Sequence, residues 1–374
     1  MKKLIAATTT PLASIFGSGF LVIVPILAGA VGPYSVYAMA GVCALAYAVG
    51  SVIRYNIAKA EPALAGTPSE ATLSIERLSD LALILAYVIS VCLYLHILSA
   101  FVLGGLGWDT GINEDLLTTA IIGTITAVGL TKGLSELAAL EKWALYITLL
   151  IIALLFLGFA HFDWTAWRST EGLKLPEIPD HTPWEILTIV GGTLIVVQGF
   201  ETPRYLGRMF DAQTRIGASR LSQIISTAVY IAFVALALPL IYQLKGKYGD
   251  NSLIALAGIA SGLLAAPLIV AAALSQFSAA VADTLSAIGN LEELTHAHVK
   301  MKWGYLFVGG GAIALTWSAD TLEILALASR AFAFYYMLQC FVAMTVSKSP
   351  WHRAGLAAIA AALGFITVFA VPAG

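Results

Sequence analysis

Charge is scarce in this chain. Asp, Glu, Lys and Arg together make up 11% of its 374 residues, where a soluble domain carries roughly 25%. A water-facing globular surface cannot be drawn from so few charges. The net charge is −2, so there is no basic excess to hold nucleic acid and no acidic tail. Cysteine is equally sparse. Cys43, Cys92 and Cys340 all fall in apolar segments, and an odd trio gives no disulfide framework, which leaves packing as their role. The signatures of hydrolytic enzymes are missing as well. There is no HExxH, no GxSxG and no pair of membrane aspartates, so an enzyme is not expected.

What is abundant is apolar sequence: 59% of residues are hydrophobic and the mean hydropathy is +0.87. Eleven stretches near the roughly 20 residues needed to cross a bilayer can be drawn: 5–31, 34–57, 81–106, 115–131, 136–160, 184–209, 219–243, 252–288, 302–318, 322–346 and 354–372. The fold class is therefore an all-α polytopic membrane protein. The eighth stretch is too long for one simple crossing and is expected to tilt or project. Lys2 and Lys3 precede an apolar run that Thr8-Thr9-Thr10-Pro11 interrupts and that continues to Val31, which reads as an uncleaved first helix. With the N-terminus inside, 15 Lys and Arg residues fall on the cytoplasmic side and 4 outside. That bias orients the chain, with its C-terminus outside, in a bacterial-type inner membrane. Residues 161–183, with Trp164, Trp167 and several prolines, read as an interfacial cap.

Two places in this apolar sequence resist a regular helix. The first is Ser14-Ile15-Phe16-Gly17-Ser18-Gly19-Phe20, inside span one. The second is Val197-Gln198-Gly199-Phe200-Glu201-Thr202-Pro203-Arg204, in span six. Backbone N–H and C=O groups cannot be left open to hydrocarbon, so an interrupted membrane helix belongs where it is buried in protein or lines a polar cavity. Breaks in helices one and six are what an inverted five-plus-five repeat would give. Close helix packing, as small residues such as Gly17 and Gly19 allow, is the competing explanation for either break alone. An acid at membrane depth is costly, which makes Glu201 a functional candidate, for a substrate cation or a proton, against the simpler role of hydrogen-bonding broken backbone. Tyr94, His96 and the Tyr335-Tyr336-Gln339 patch are candidates for lining a pathway. Asp283 is expected to pair with a basic residue as a gate, and Arg330 to snorkel or to pair with Glu323. His296-Ala297-His298 reads as solvated loop rather than as a metal site.

Gly17-Ser18-Gly19 with Gly199-Phe200-Glu201, and Gly133-Leu134-Ser135-Glu136 leading into span five, resemble the amino acid–polyamine–organocation (APC) superfamily of transporters, which have the LeuT-like fold. The resemblance implies a first five-helix repeat over 1–160, the cap over 161–183, a second repeat over 184–346 and an additional helix in 347–374. It implies a secondary active transporter of a small amino acid or related amine, working by alternating access. The substrate would lie against Ile15, Gly17, Ser18, Gly19, Tyr94, Val197, Gln198, Gly199, Phe200 and Glu201, with Phe200 as a lid. Open N–H groups and a positive half-helix end suit a carboxylate, and carbonyls of the second break suit an ammonium group. No cofactor is implied beyond sodium as a coupling ion, held by carbonyls of Ala13, Phe16 and Ala272 with the side chains of Ser275 and Gln276. Gln276 stands where sodium-coupled members carry a hydroxyl, and Thr148 where some proton-coupled members carry a lysine. An inorganic cation transporter of the same fold, using Glu201, Asp283 and carbonyls, and a membrane assembly factor without transport are the alternatives.

Overall fold

The computed structural model describes residues 2–17, 19–134, 140–170, 172–295, 298 and 300–372, with the backbone alone for 140–142. Among the described residues it is helical throughout, without strands. The helices, in chain order, are α1 (Lys2–Gly17), α2 (Ile23–Val31), α3 (Ser35–Tyr55), α4 (Glu61–Ala65), α5 (Glu70–Leu106), α6 (Gly111–Thr131) and α7 (Leu140–Arg168). They continue as α8 (Pro183–Gly191), α9 (Ala212–Ile241), α10 (Ser252–Ala260), α11 (Ala265–Leu294), α12 (Met301–Thr316), α13 (Thr321–Val346) and α14 (Pro350–Phe369). Seven helical stretches among the described residues are long and apolar enough to cross a membrane. Four of the expected spans fall on segments outside that group: α1, α6, α12, and α8 with the short turns that follow it.

Helix ends are set by local chemistry. Thr182 and Glu185 form a reciprocal capping box ahead of α8, with Pro183 in its first turn, and Asp320 and Glu323 do the same for α13. These pairs satisfy amide donors that a helix start leaves open. Asp211 caps α9 by accepting from the Thr214 N–H at 3.0 Å, which holds its carboxyl below the usual range. Between α3 and α4 the helix widens into a π-turn over Asn56–Ala60, and the Asn56 amide reaches the Gln339 carbonyl of α13 at 2.9 Å.

The axis of the bundle is α5. It runs for 37 residues, about 55 Å at 1.5 Å per residue, and it is the most enclosed of the membrane-capable helices. Its main neighbours are α11 and α13. The outer surface is apolar: Leu157 is 69% and Trp143 66% exposed. Such a surface is what a lipid-facing exterior requires and a soluble one avoids. Cys43, Cys92 and Cys340 are buried free thiols.

Two expectations are revised. The long span 252–288 is two helices, because Ser261-Gly262 breaks the apolar run. Ser261 is extended (φ −166°, ψ 127°) and closes α10, and α11 starts four residues on. Arg330 does not pair with Glu323. Its Nε donates to the Thr367 carbonyl of α14 at 2.9 Å, while Glu323 is taken up by its capping box.

The turn from α2 to α3 rests on Gly32, whose φ is +56°. A Cβ there would collide with the Glu177 carbonyl of the 172–182 segment. Gly32→Ala is expected to cost about 1–3 kcal/mol, the scale of a forced backbone conformation, read as a lower thermal midpoint of the purified protein. Gly41→Ala, where a Cβ meets nothing within 4 Å, leaves the midpoint in place.

Candidate functional site

Both interrupted segments are where the glycines put them. Helix α1 stops at Gly17, Gly19 takes φ +142°, and 19–22 turn before α2 begins. In the second half, α8 stops at Gly191 and a 3-10 turn covers Leu194–Val197. Gln198 is then extended, Gly199 takes φ +125°, and a second 3-10 turn covers Thr202–Leu206. The two breaks lie against each other. A Cβ on Gly199 would stand 2.7 Å from the Ile15 nitrogen and from Ser14, and one on Gly19 would stand 2.8 Å from a Val196 methyl. Only glycine allows both the backbone angle and the approach.

Side chains from two helices and from the second break itself satisfy peptide groups freed at this crossing. Tyr230 of α9 brings its hydroxyl to the carbonyls of Ile15 (2.9 Å) and Val196 (2.6 Å), one from each break. Ser329 of α13 donates to the Gly192 carbonyl at 2.6 Å and accepts from the Ile195 N–H at 3.0 Å. Glu201 is fully buried. Its carboxylate accepts from the Gln198 amide (2.5 Å), the Gly199 N–H (3.0 Å) and the Tyr336 hydroxyl of α13 (2.8 Å). Phe200 stacks on Tyr336 with ring centroids 5.1 Å apart. Tyr94 reaches Gln198 at 3.4 Å, a long contact. Beside the first break, Phe20 stacks on Phe233 at 4.1 Å, with Phe16 and Tyr230 packed around it.

A cavity of about 1080 Å³ opens at the end of the bundle that carries the N-terminus and reaches inward to Ser14, Phe16, Tyr87, Thr148, Thr202 and Ser278. Its wall is acidic. Glu61, Glu76, Asp80, Asp283, Glu292 and Glu293 line it, against the two guanidinium groups of Arg204 and Arg208. Near the inner end, the Ser90 hydroxyl of α5 donates to Asp283. The hydroxyls of Ser14, Thr148 and Ser278 are buried there without a hydrogen-bond partner among the described residues. A buried polar atom left unmatched costs stability, so such atoms point to a role.

The arginines around the cavity are tied down. Arg204 meets Glu76 at 2.5 Å and also the Gln339 side chain, whose amide in turn reaches Ser79 at 2.7 Å. Arg215 holds both oxygens of Glu61, at 2.8 and 2.6 Å, and donates to the Arg204 carbonyl at 2.9 Å. Tyr205 and Tyr335 share a hydrogen bond of 2.9 Å.

The residues singled out from the sequence divide into two groups. Ala13, Phe16 and Ser275 line the cavity. Phe16, Ala272, Ser275 and Thr148 also border a niche of about 10 Å³. Gln276 is fully buried, and neither of its amide atoms has a hydrogen-bond partner among the described residues. By contrast, Ile15, Gly17, Gly19, Tyr94, Val197, Gln198, Gly199, Phe200 and Glu201 do not line the cavity; they form the packed crossing behind it. Ser18, Ser135, Glu136 and His296 lie outside the described residues. His298 turns back onto the Thr295 carbonyl. Tyr230, Ser329 and Ser14 were not anticipated. A hydroxyl on an apolar helix gives no signal until the fold shows what it faces.

A family model described as an APC superfamily transporter matches residues 1–373. An uncharacterized protein of Aquifex aeolicus (strain VF5) is 39% identical over 353 residues, covering 92% of this chain and 85% of its own. Among solved structures, a mutant of the manganese transporter of Eremococcus coleocola is similar with a TM-score of 0.58 and 14% identity. The match covers 98% of this chain and 85% of that one. The same transporter in complex with an aromatic bis-isothiourea substituted compound gives the same values. That likeness is one of fold. The match along nearly the whole length establishes that the chain belongs to a family of APC superfamily transporters.

Proposed function

We propose that this transporter carries a small cation, a metal ion or an organic amine, by alternating access, and that the arrangement described here is open toward the cytoplasm. One observation carries the reading: a cavity lined by six carboxylates, two of them paired with Arg204 and Arg215, that runs from one face of the bundle to the crossing of two broken helices and ends beside Asp283. An excess of negative charge lining a cleft attracts cations and repels anions. An amine is accommodated by the same wall, whereas the carboxylate of a free amino acid would have to sit against Asp283. The Gly19 side of the crossing, where such a carboxylate would find open N–H groups, is closed by Val196. The fold shared with a manganese transporter is compatible with a metal cargo.

The proposal includes the two five-helix repeats, 1–160 and 184–346, with breaks at corresponding positions, in an inner membrane with the N-terminus inside. The density of Lys and Arg on the N-terminal side supports that orientation. It also includes sodium as coupling ion, between carbonyls of Ala13, Phe16 and Ala272 and the side chains of Ser275 and Gln276. Two features support this: the niche of about 10 Å³ beside Ser275 and Ala272 has room for one small ion,, and the Gln276 amide has no hydrogen-bond partner among the described residues.

The test is uptake into proteoliposomes. Radioactive Mn2+ and methylammonium should enter, and Asp283→Asn should cut uptake by about tenfold or more, the weight of one hydrogen bond to a charged group. A chain that instead takes up zwitterionic amino acids, with Asp283→Asn indifferent, would overturn the cation reading. Ser275→Ala should shift the sodium concentration needed for half-maximal uptake, and an unchanged sodium dependence removes that ion from the scheme. Glu201 acts in this reading as a brace. Glu201→Gln sets an amide against N–H and O–H donors and should lower the thermal midpoint by an amount equivalent to about 1–3 kcal/mol, without changing how uptake responds to a pH gradient. A lost pH response would make Glu201 a proton carrier.

A further inference from the structure

A second acidic cavity, of about 490 Å³, opens at the end of the bundle opposite the first. It draws on four parts of the chain that are distant in sequence. Helix α5 gives His96, α6 gives Glu114 and Asp115, the segment ahead of α10 gives Asp250, and the start of α13 gives Asp320 and Glu323. Among the described residues, no lysine or arginine lines it. The informative group is His96. Its side chain is 3% exposed and borders the cavity, and Nε2 has no hydrogen-bond partner among the described residues. That nitrogen faces Asp115 Oδ1 across 3.9 Å, which is too far for a direct hydrogen bond. An ion about 2 Å from each atom at a tetrahedral angle would set them about 3.3 Å apart, so a small turn of the partly exposed Asp115 side chain lets one ion join the two.

We infer that this cavity is a binding site for a first-row divalent transition-metal ion, held directly by His96 Nε2 and Asp115. One imidazole nitrogen among carboxylates suits such ions, while Mg2+ and Ca2+ prefer all-oxygen sites. Among the described residues no three His, Cys, Asp or Glu side chains form a ready metal-binding group, so the ion keeps water in its remaining positions. Glu114, Asp250 and the oxygens of Asp320 and Glu323 left over from their capping box accept hydrogen bonds from that water and balance the ion's charge. The site lies apart from the cavity that ends at Asp283, and its occupancy does not depend on what the transporter carries. It is a docking point for metal on the face where the pathway is closed.

Mn2+ titrated into the purified full-length protein without an affinity tag, followed by electron paramagnetic resonance, tests this. The titration is run on the wild type and on an Asp283→Asn background, so that an ion in the other cavity is not counted. Bound Mn2+ should show a nitrogen coupling in spin-echo modulation spectra. His96→Gln should remove that coupling and raise the Kd about tenfold or more, and Asp250→Asn should raise it by less than His96→Gln, as loss of an outer partner does. Asp115→Asn gives a second arm at a partly exposed position, should His96→Gln fail to fold. Equal Mn2+ affinity and stoichiometry in the wild type, His96→Gln and Asp115→Asn proteins, or bound Mn2+ without nitrogen coupling, would overturn the assignment.

Discussion

A membrane interior offers no water to an open peptide group, and the architecture of this protein follows from how it meets that constraint where two helices are interrupted. The breaks at 19–22 and 198–201 are laid against each other, and peptide groups they free are taken up by Tyr230, Ser329 and Glu201. Each of these side chains comes from an element that the breaks must touch anyway. The cost of interrupting a helix in lipid is thereby confined to one crossing. The cavity then begins one turn away, at Ser14 and Thr202, rather than at the glycines themselves.

That displacement explains how much of the site could be read from residue types alone. Gly19 and Gly199 were legible because two glycines within a long apolar run have few uses other than a positive φ and a close approach, and both uses are realised here. Glu201 was legible as an intramembrane acid, but not as an acceptor of a backbone N–H two residues back, which depends on the turn that Gly199 permits. Tyr230 and Ser329 were not legible at all. One hydroxyl in a helix of thirty or twenty-six residues carries no mark of the carbonyl it faces. The acidic wall was hidden for another reason. Glu61 starts α4, and Glu76 and Asp80 lie in the polar early turns of α5, where charge is ordinary, and only the convergence of α4, α5 and α11 gathers them around one space.

The fold was legible where periodicity and length were sufficient, and it failed at Ser261-Gly262. There an apolar run continues on both sides of a turn, and hydropathy averages over two residues that the backbone cannot ignore. The same averaging explains why α5 read as a span starting at 81, although it begins at Glu70. Its first turns are polar and capped by Ser69, and project beyond the apolar stretch. Its polar residues divide by depth, with Glu76 and Asp80 at one cavity and His96 at the other.

Arg215 has a further consequence for how the bundle can move. Its guanidinium clamps Glu61 in two-pronged fashion and at the same time holds the backbone of 203–204. Helix α9, helix α4 and the strip after the second break are therefore riveted into one block. Arg204, within that strip, sends its own head across to Glu76 and Gln339 on α5 and α13. Any rocking of the block against the α5–α11–α13 core must shear the Arg204 clasp while sparing the Arg215 rivet. Two arginines eleven residues apart thus hold the strip after the second break to both sides of the bundle.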